Sequence, residues 1–286
     1  MIYLILSIIC SVTVGIIFKT ARQFSINISQ VVAWNYIFAL LLCYLFFNPG
    51  LEQVNSSSPW FIYIPLSFLL PSIFIFLAAS IKHMGIVKTD AAQRLSLFIT
   101  VLASYFIFKE DFNLYKIIGL AVGFPAIMLI FSREDKNNSN KWFYPTIVLF
   151  GFGLVDVLFK KIATLTTLPF TTSLFIVFCG ALAIAWIYAL YEAFTKKKSF
   201  SVINLAFGTL IGIFNFGNIL FYLQAHKAFA QNPSTVFAAM NMGVIVLGGL
   251  VGILAFKEPV TKKNYLGLFL ALMAIFFITL SQLYSD

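Results

Sequence analysis

The sequence predicts an all-α membrane protein, with ten transmembrane helices arranged as two inverted five-helix repeats over 1–138 and 139–286 of a single integral membrane domain. Three observations predict it. The first is composition: 61% hydrophobic residues, 10% charged residues and a mean hydropathy of +0.96 exclude a soluble chain of 286 residues. Its 34 Phe are more apolar surface than a soluble fold of this size can bury. The second is the division of the chain by polar breaks into runs close to the ~20 residues that cross a hydrocarbon core. The third is the recurrence of the same landmarks at matching run ends in the two halves.

Taken in order, the predicted spans are 2–18, 30–47, 60–81, 90–108, 114–132, 142–161, 170–194, 203–225, 233–256 and 263–282. The first opens at Met1-Ile2-Tyr3 without a basic leader or a small-residue cleavage site, so it is expected to be kept in the mature protein. Trp60 and Trp142 open the third and sixth spans, as residues of an interfacial aromatic belt do. Pro71 interrupts the third span, where a kink serves either a gate or packing. The fourth span is the least sharply bounded, because Asp90, Gln93 and Arg94 crowd its start. Only Asn48–Ser58 and Arg133–Lys141 read as loops, which leaves no room for a soluble domain. Backbone polar groups in lipid must be satisfied internally, and the alternation of a spanning barrel is missing, so a helical bundle follows. Small residues four apart, Gly119 with Gly123, Gly208 with Gly212 and Gly248 with Gly252, permit close helix approach.

Phe108-Lys109-Glu110 closes the fourth span and Phe256-Lys257-Glu258 the ninth. A shift of 148 residues superposes these motifs and also Gly119-Leu120 on Gly267-Leu268, five identities in thirteen positions without a gap. Phe18-Lys19 and Phe159-Lys160, at the ends of the first and sixth spans, form a second anchor. Each half then holds five spans. Because five is odd, the second half enters the membrane from the opposite side, which makes the repeat inverted.

With these landmarks the chain resembles the EamA-type branch of the drug/metabolite transporter superfamily. The resemblance covers essentially the whole chain and rests on motifs that are specific only in combination. It implies inverted repeats around a central cavity, alternating access and movement of a small organic metabolite; it carries over no fixed set of substrate-binding residues. The proline common within the fourth and ninth spans of that family is absent here, and positive charge is unusually distributed. With a cytoplasmic N-terminus, as the resemblance implies, cytoplasmic connections would carry five cations, Lys109, Lys116, Lys160, Lys161 and Lys227, against fourteen on the other side. Setting aside Lys19, Lys82, Lys88 and Arg94 as cavity candidates still leaves ten against five. The positive-inside rule therefore favours both termini outside, whereas the resemblance favours both inside; Lys196-Lys197-Lys198 is the sharpest cytoplasmic marker.

Polar groups at membrane depth carry the functional reading, since a charge at a helix centre costs roughly 2.5–3.5 kcal/mol to insert. Asp156 lies among apolar neighbours with Lys160 four residues on. It reads either as a cavity carboxylate that meets substrate or relays a proton, or as half of a pair with Lys160 that joins helices. Asp90 and Arg94 repeat the spacing in the other half, where a guanidinium suits an anionic group; a place at the water interface is the plainer alternative. Gln93 superposes on Asn241 under the 148-residue shift. Asn215, Asn218 and Tyr222 form one stripe of the eighth span, and Asn35 with Tyr36 a notch in the second. For each amide, helix-to-helix hydrogen bonding competes with a binding role. Lys19 reads as a cavity cation or a snorkelling interfacial one. His83 and His226, beside Lys82 and Lys227, would couple transport to protons only away from the interface.

Signatures of zinc peptidases, nucleophile elbows and phosphate-binding loops are missing, and just ten carboxylates are present, so no enzyme is expected. Cys10, Cys43 and Cys179 fall within apolar runs and imply neither disulfides nor a metal. The 19 Lys and Arg sit in the short breaks, which argues against nucleic acid. The expected partners are the lipid bilayer and a small-molecule substrate. No cofactor, ATP use or second subunit is indicated, and a monomer is compatible with the sequence. The reading is a secondary transporter of a small polar or amphipathic metabolite, such as an amino acid or related compound, in a bacterial inner membrane. A non-transporting membrane scaffold and an integral membrane enzyme are the alternatives. Measurable counterflow would argue against the first, and product formation without translocation would identify the second.

Overall fold

The computed structural model describes residues 2–107, 112–130, 141–165, 168–228 and 233–284. Phe108-Lys109-Glu110, most of the Arg133–Lys141 loop and the boundary at 138 lie outside the described residues. No strand occurs among those described. The helices are α1 (Ile2–Ala21), α2 (Ile28–Phe47), α3 (Trp60–Leu95), α4 (Leu97–Phe106), α5 (Leu114–Ile130), α6 (Phe143–Leu165), α7 (Phe170–Thr195), α8 (Val202–Ala228), α9 (Pro233–Leu250) and α10 (Lys262–Leu283). A single π turn, Val251–Ala255, extends α9. Among the described residues seven stretches are long and apolar enough to cross a membrane, and Leu114–Ile130 and Ala239–Ala255 are shorter apolar helices.

Their ends follow from local chemistry. Asn27 caps α2 by accepting from Ser29 N, and Asn48 ends it in the left-handed conformation that asparagine tolerates. Thr261 and Asn264 cap α10 reciprocally. The expected bend at Pro71 is not where the third helix breaks. Proline at 65 and 71 is accommodated within α3, and the one non-helical residue inside it is Gly85, at φ 85° and ψ 174°, a conformation open to glycine because it has no Cβ. The break folds the chain back on itself. Nine residues of straight helix span about 13.5 Å, yet Ser80 Oγ and Thr89 Oγ1 stand 2.7 Å apart.

A helix that starts inside a bundle leaves backbone N–H groups to be satisfied. Here Ile86 N and Val87 N donate to the two carboxylate oxygens of Glu258, at 2.7 and 3.0 Å. Lys19 Nζ, from the end of α1, donates to Glu258 Oε1 at 2.8 Å. Lys19 is therefore neither a cavity cation nor a snorkelling one: an acid from the far end of the chain holds it.

Packing joins the early helices to the late ones. α1 lies against α8 and α9, α2 against α7 and α8, α3 against α6 and α7, α4 against α6, and α5 against α10. Without a hydrophobic drive between helices in lipid, close approach decides such contacts. A Cβ built on Gly208 or Gly212 of α8 would stand 2.7 Å from the carbonyl oxygen of Val31 or Asn35 in α2. Between α5 and α10 the contacts are reciprocal. Gly119 faces Ala274 and Ile278, while Gly267 faces Leu129 and Ile130. Asn113 donates to Ser281 O, and Asn264 donates to the carbonyls of Leu129 and Ile130, so the two helices run antiparallel. The 148-residue shift exchanges Gly119 with Gly267 and Ile130 with Ile278.

Candidate functional site

The antiparallel packing defines two ends of the bundle. At one end α5 and α7 begin and α6, α8 and α10 finish; here lies a cavity of about 770 Å³. A second space of about 240 Å³ adjoins it further inside, and Gln93, Arg94, Asp156 and Asn218 line both. At the opposite end stand Lys19, Gly85 and Glu258.

The cavity wall is built from the middle of the chain and its late helices. Phe152, Phe159, Phe170 and Tyr222 give it aromatic faces, and Leu97, Val101, Leu174 and Met240 add apolar surface. Arg94 projects from the segment that follows the Gly85 break. Its Nη2 donates to Ser11 Oγ of α1 at 2.6 Å, and its buried Nε has no hydrogen-bond partner in the protein. Asp156 of α6 is accessible, and what it is exposed to is this cavity. Ser96 Oγ donates to Gln93 O at 2.6 Å and approaches Asp156 Oδ2 at 3.4 Å, which is long for a hydrogen bond. Lys116 and Lys160 line the same space.

Asp90 lines the inner space and is 5% exposed, with no partner for Oδ2. It is not interfacial, because the Gly85 break starts its helix inside the bundle. Buried polar atoms without partners are uncommon and costly, so the run of Asp90 Oδ2, Arg94 Nε and Tyr36 Oη along one pair of spaces marks a polar site in an apolar body. Among the described residues no direct ion pair joins the guanidinium to either carboxylate.

Of the residues singled out from the sequence, Gln93, Arg94, Asp156, Lys160, Asn218, Tyr222 and Asn241 line the larger cavity. Tyr36 and Asn215 line the inner one. Asn218 also accepts from Ser7 Oγ at 2.8 Å, joining α8 to α1. Asn35 is fully buried at the α2 and α8 contact, where Asn215 Nδ2 approaches its Oδ1 at 3.4 Å, a long contact, and its own Nδ2 has no hydrogen-bond partner in the protein. His83 stacks on Tyr144 at 4.9 Å, and His226 meets Tyr222 edge-on at 4.5 Å. Sequence reasoning missed Ser11 and Ser96, since single serines in apolar helices carry no signal. Among the described residues no group of three His, Cys, Asp or Glu is placed to hold a metal ion.

Comparison with known proteins agrees with this architecture. Residues 1–132 match the EamA-like transporter family. The chain is 40% identical over 285 residues to an uncharacterised protein of Haemophilus influenzae, covering 96% of each. A solved crystal structure aligns over 100% of this chain and 98% of its own, with a TM-score of 0.61 and 14% identity, a likeness of fold alone. The chain is a membrane protein that belongs to the EamA-like transporter family, within the drug/metabolite transporter superfamily.

Proposed function

We propose that the protein is a secondary transporter, not an enzyme, that moves a small polar or amphipathic metabolite by alternating access. The observation that carries the reading is the presence of Arg94 and Asp156 on one aromatic-walled cavity, which lies toward the Lys160 end of the bundle and adjoins the inner space. A guanidinium with an unpartnered N–H suits a carboxylate, an acid suits an ammonium, and the Phe152, Phe159 and Phe170 rings suit an apolar body. An amino acid or a related zwitterion combines those three features.

The moving parts in this reading are two inverted five-helix repeats, 1–138 and 139–286. Several observations support it. Trp60–Ala103 is 44 residues long, about 66 Å of helix against a core of roughly 30 Å, enough for two crossings folded at Gly85. Counting it twice and adding the two shorter apolar helices to the remaining six gives ten crossings. The contacts also pair as an exchange of halves demands. α1 with α8 mirrors α6 with α3, α1 with α9 mirrors α6 with α4, and α5 with α10 maps onto itself.

An all-helical chain with a Haemophilus influenzae relative suits a bacterial inner membrane. The cation-rich end, which holds Lys19, Arg22, Lys82 and Lys196-Lys197-Lys198, would face the cytoplasm there. The substrate and the bilayer are its partners; nothing in the site calls for a cofactor or nucleic acid, and a monomer suffices.

Reconstituted protein, loaded inside with one candidate zwitterion and offered the same compound labelled outside, tests the reading. Saturable trans-stimulated uptake is the expected result. Its absence across a panel of amino acids, their N-acyl and decarboxylated derivatives and small organic acids would remove transport of this substrate class.

A further inference from the structure

The larger cavity lies toward the Lys160 end, and at the opposite end several elements meet on one side chain. Glu258 lies in the short link between the π turn and α10. Its carboxylate accepts from Lys19 of α1 and from Ile86 N and Val87 N at the fold-back of α3, at 2.8, 2.7 and 3.0 Å. Three separate elements therefore meet on one carboxylate, whose side chain is only 6% exposed. The surroundings are shaped to receive it. A Cβ on Gly85 would stand 2.6 Å from Glu258 Cδ, and one on Gly252 would stand 3.1 Å from Oε2. Glu258 N donates to Gly252 O at 3.0 Å, and Lys257 takes φ 49°, a conformation uncommon outside glycine, so the backbone turns sharply to present the acid.

We propose that Glu258, with Lys19 and the N–H groups that follow Gly85, is the latch that holds this end of the transporter closed, and that access from this side requires its release. The proposal rests on the alternating-access reading above and adds to it the device that sets which end is shut. Both flanking elements suit such a release. Gly85 is a backbone joint between two helices, and the π turn Val251–Ala255 interrupts the regular ladder of α9 beside it. When the acid withdraws, the fold-back loses its cap and Lys19 its counter-charge together. The two halves of the latch therefore separate as one event rather than by degrees.

Labelling rather than flux tests this. With Cys10, Cys43 and Cys179 replaced by alanine, Gly15→Cys places a single reporter thiol on the inner space; an ideal Cβ there meets nothing closer than 3.8 Å. A membrane-impermeant maleimide is added from either face of oriented vesicles. With Glu258 intact, the reporter is expected to react from the Lys160 face and slowly from the Lys19 face. Glu258→Ala raises the Lys19-face rate roughly tenfold or more, the effect of losing charge-assisted hydrogen bonds on a two-state equilibrium. Gly85→Ala, which crowds the carboxylate and strains the fold-back without changing any charge, and Lys19→Ala, which spares the helix cap, are read in the same way.

Retained Lys160-face labelling certifies the fold of each variant. If Glu258→Ala fails that control, Gly85→Ala and Lys19→Ala decide in its place. An unchanged Lys19-face rate in the variants that pass overturns the latch. A raised rate in a protein that transports nothing would leave the latch standing and remove the transport reading, so the two failures are distinguishable.

Discussion

Gly248 of α9 packs beneath Asp90 so closely that a Cβ at this position would overlap Oδ2 and stand 3.2 Å from Cγ. A Cβ on the neighbouring Gly249 would meet nothing within 4 Å. Two adjacent glycines of one helix thus differ in what they permit.

Gly248→Ala is therefore expected to push Asp90 out of its seat and to destabilise the protein by about 1–3 kcal/mol, the usual cost of an over-packed core. Gly249→Ala should be neutral or stabilising by up to ~1 kcal/mol, since alanine is the better helix former. Thermal unfolding of the two variants in one detergent separates them. Equal melting temperatures would contradict the close contact.

Arg94→Lys keeps the charge in the cavity but gives up the planar fork, and Asp156→Asn keeps the shape but gives up the charge. Each is expected to lower counterflow of the transported zwitterion at least roughly tenfold, about 1.4 kcal/mol of lost interaction, with membrane insertion unchanged. Wild-type flux in Asp156→Asn would take that residue out of the site while leaving the fold untouched.

Asn204 of α8 is 2% exposed; its Oδ1 accepts from Asn27 N at 2.9 Å and its Nδ2 donates to Gln30 Oε1 at 2.6 Å. Gln30 in turn donates to Ser199 O. Asn204→Leu keeps the branching of the side chain but strands the Asn27 N–H at the start of α2, at an expected cost of about 1–2 kcal/mol or more, since the methyl groups are also bulkier than the amide. Unfolding at an unchanged temperature would show that the amide contributes nothing to the α2 and α8 contact.

The helix limits were legible because polar residues break apolar runs. The predicted 30–47, 170–194 and 263–282 correspond to Ile28–Phe47, Phe170–Thr195 and Lys262–Leu283. The fold-back was not, since Gly85 is one of 16 glycines and nothing local distinguishes a joint from a packing contact. Its location also decides the fate of Asp90 and Arg94: a helix start reads as interfacial until the chain is known to turn inside the bundle. The Lys19 and Glu258 pair left a trace that was readable only as repetition. Phe18-Lys19 and Phe256-Lys257-Glu258 served as landmarks of the repeat, and the structure brings their charged residues together across 239 positions. Spacing along a sequence reveals that a motif recurs, whereas the partner it meets depends on how the halves interleave.

The reciprocal α5 and α10 contact yields a prediction with an internal control. A Cβ on Gly119 would stand 2.6 Å from Ile278 Cγ1 and no closer than 3.1 Å to backbone, whereas one on Gly267 would stand 2.9 Å from Ile130 Cγ1 and only 2.8 Å from Ile130 N. Gly119→Ala and Gly267→Ala should each destabilise by about 1–3 kcal/mol. Trimming the opposing side chain relieves only a side-chain clash. Gly119→Ala with Ile278→Ala, which removes Cγ1, should therefore recover more than the single variants predict by addition, by roughly 0.5 kcal/mol or more. Gly267→Ala with Ile130→Ala should recover less, because the closest atom in its conflict is backbone. The crossed pair, Gly119→Ala with Ile130→Ala, should be additive. A double-mutant cycle by denaturant titration in mixed micelles reads all three, and equal coupling in the matched and crossed pairs would contradict the reciprocal packing of the two helices.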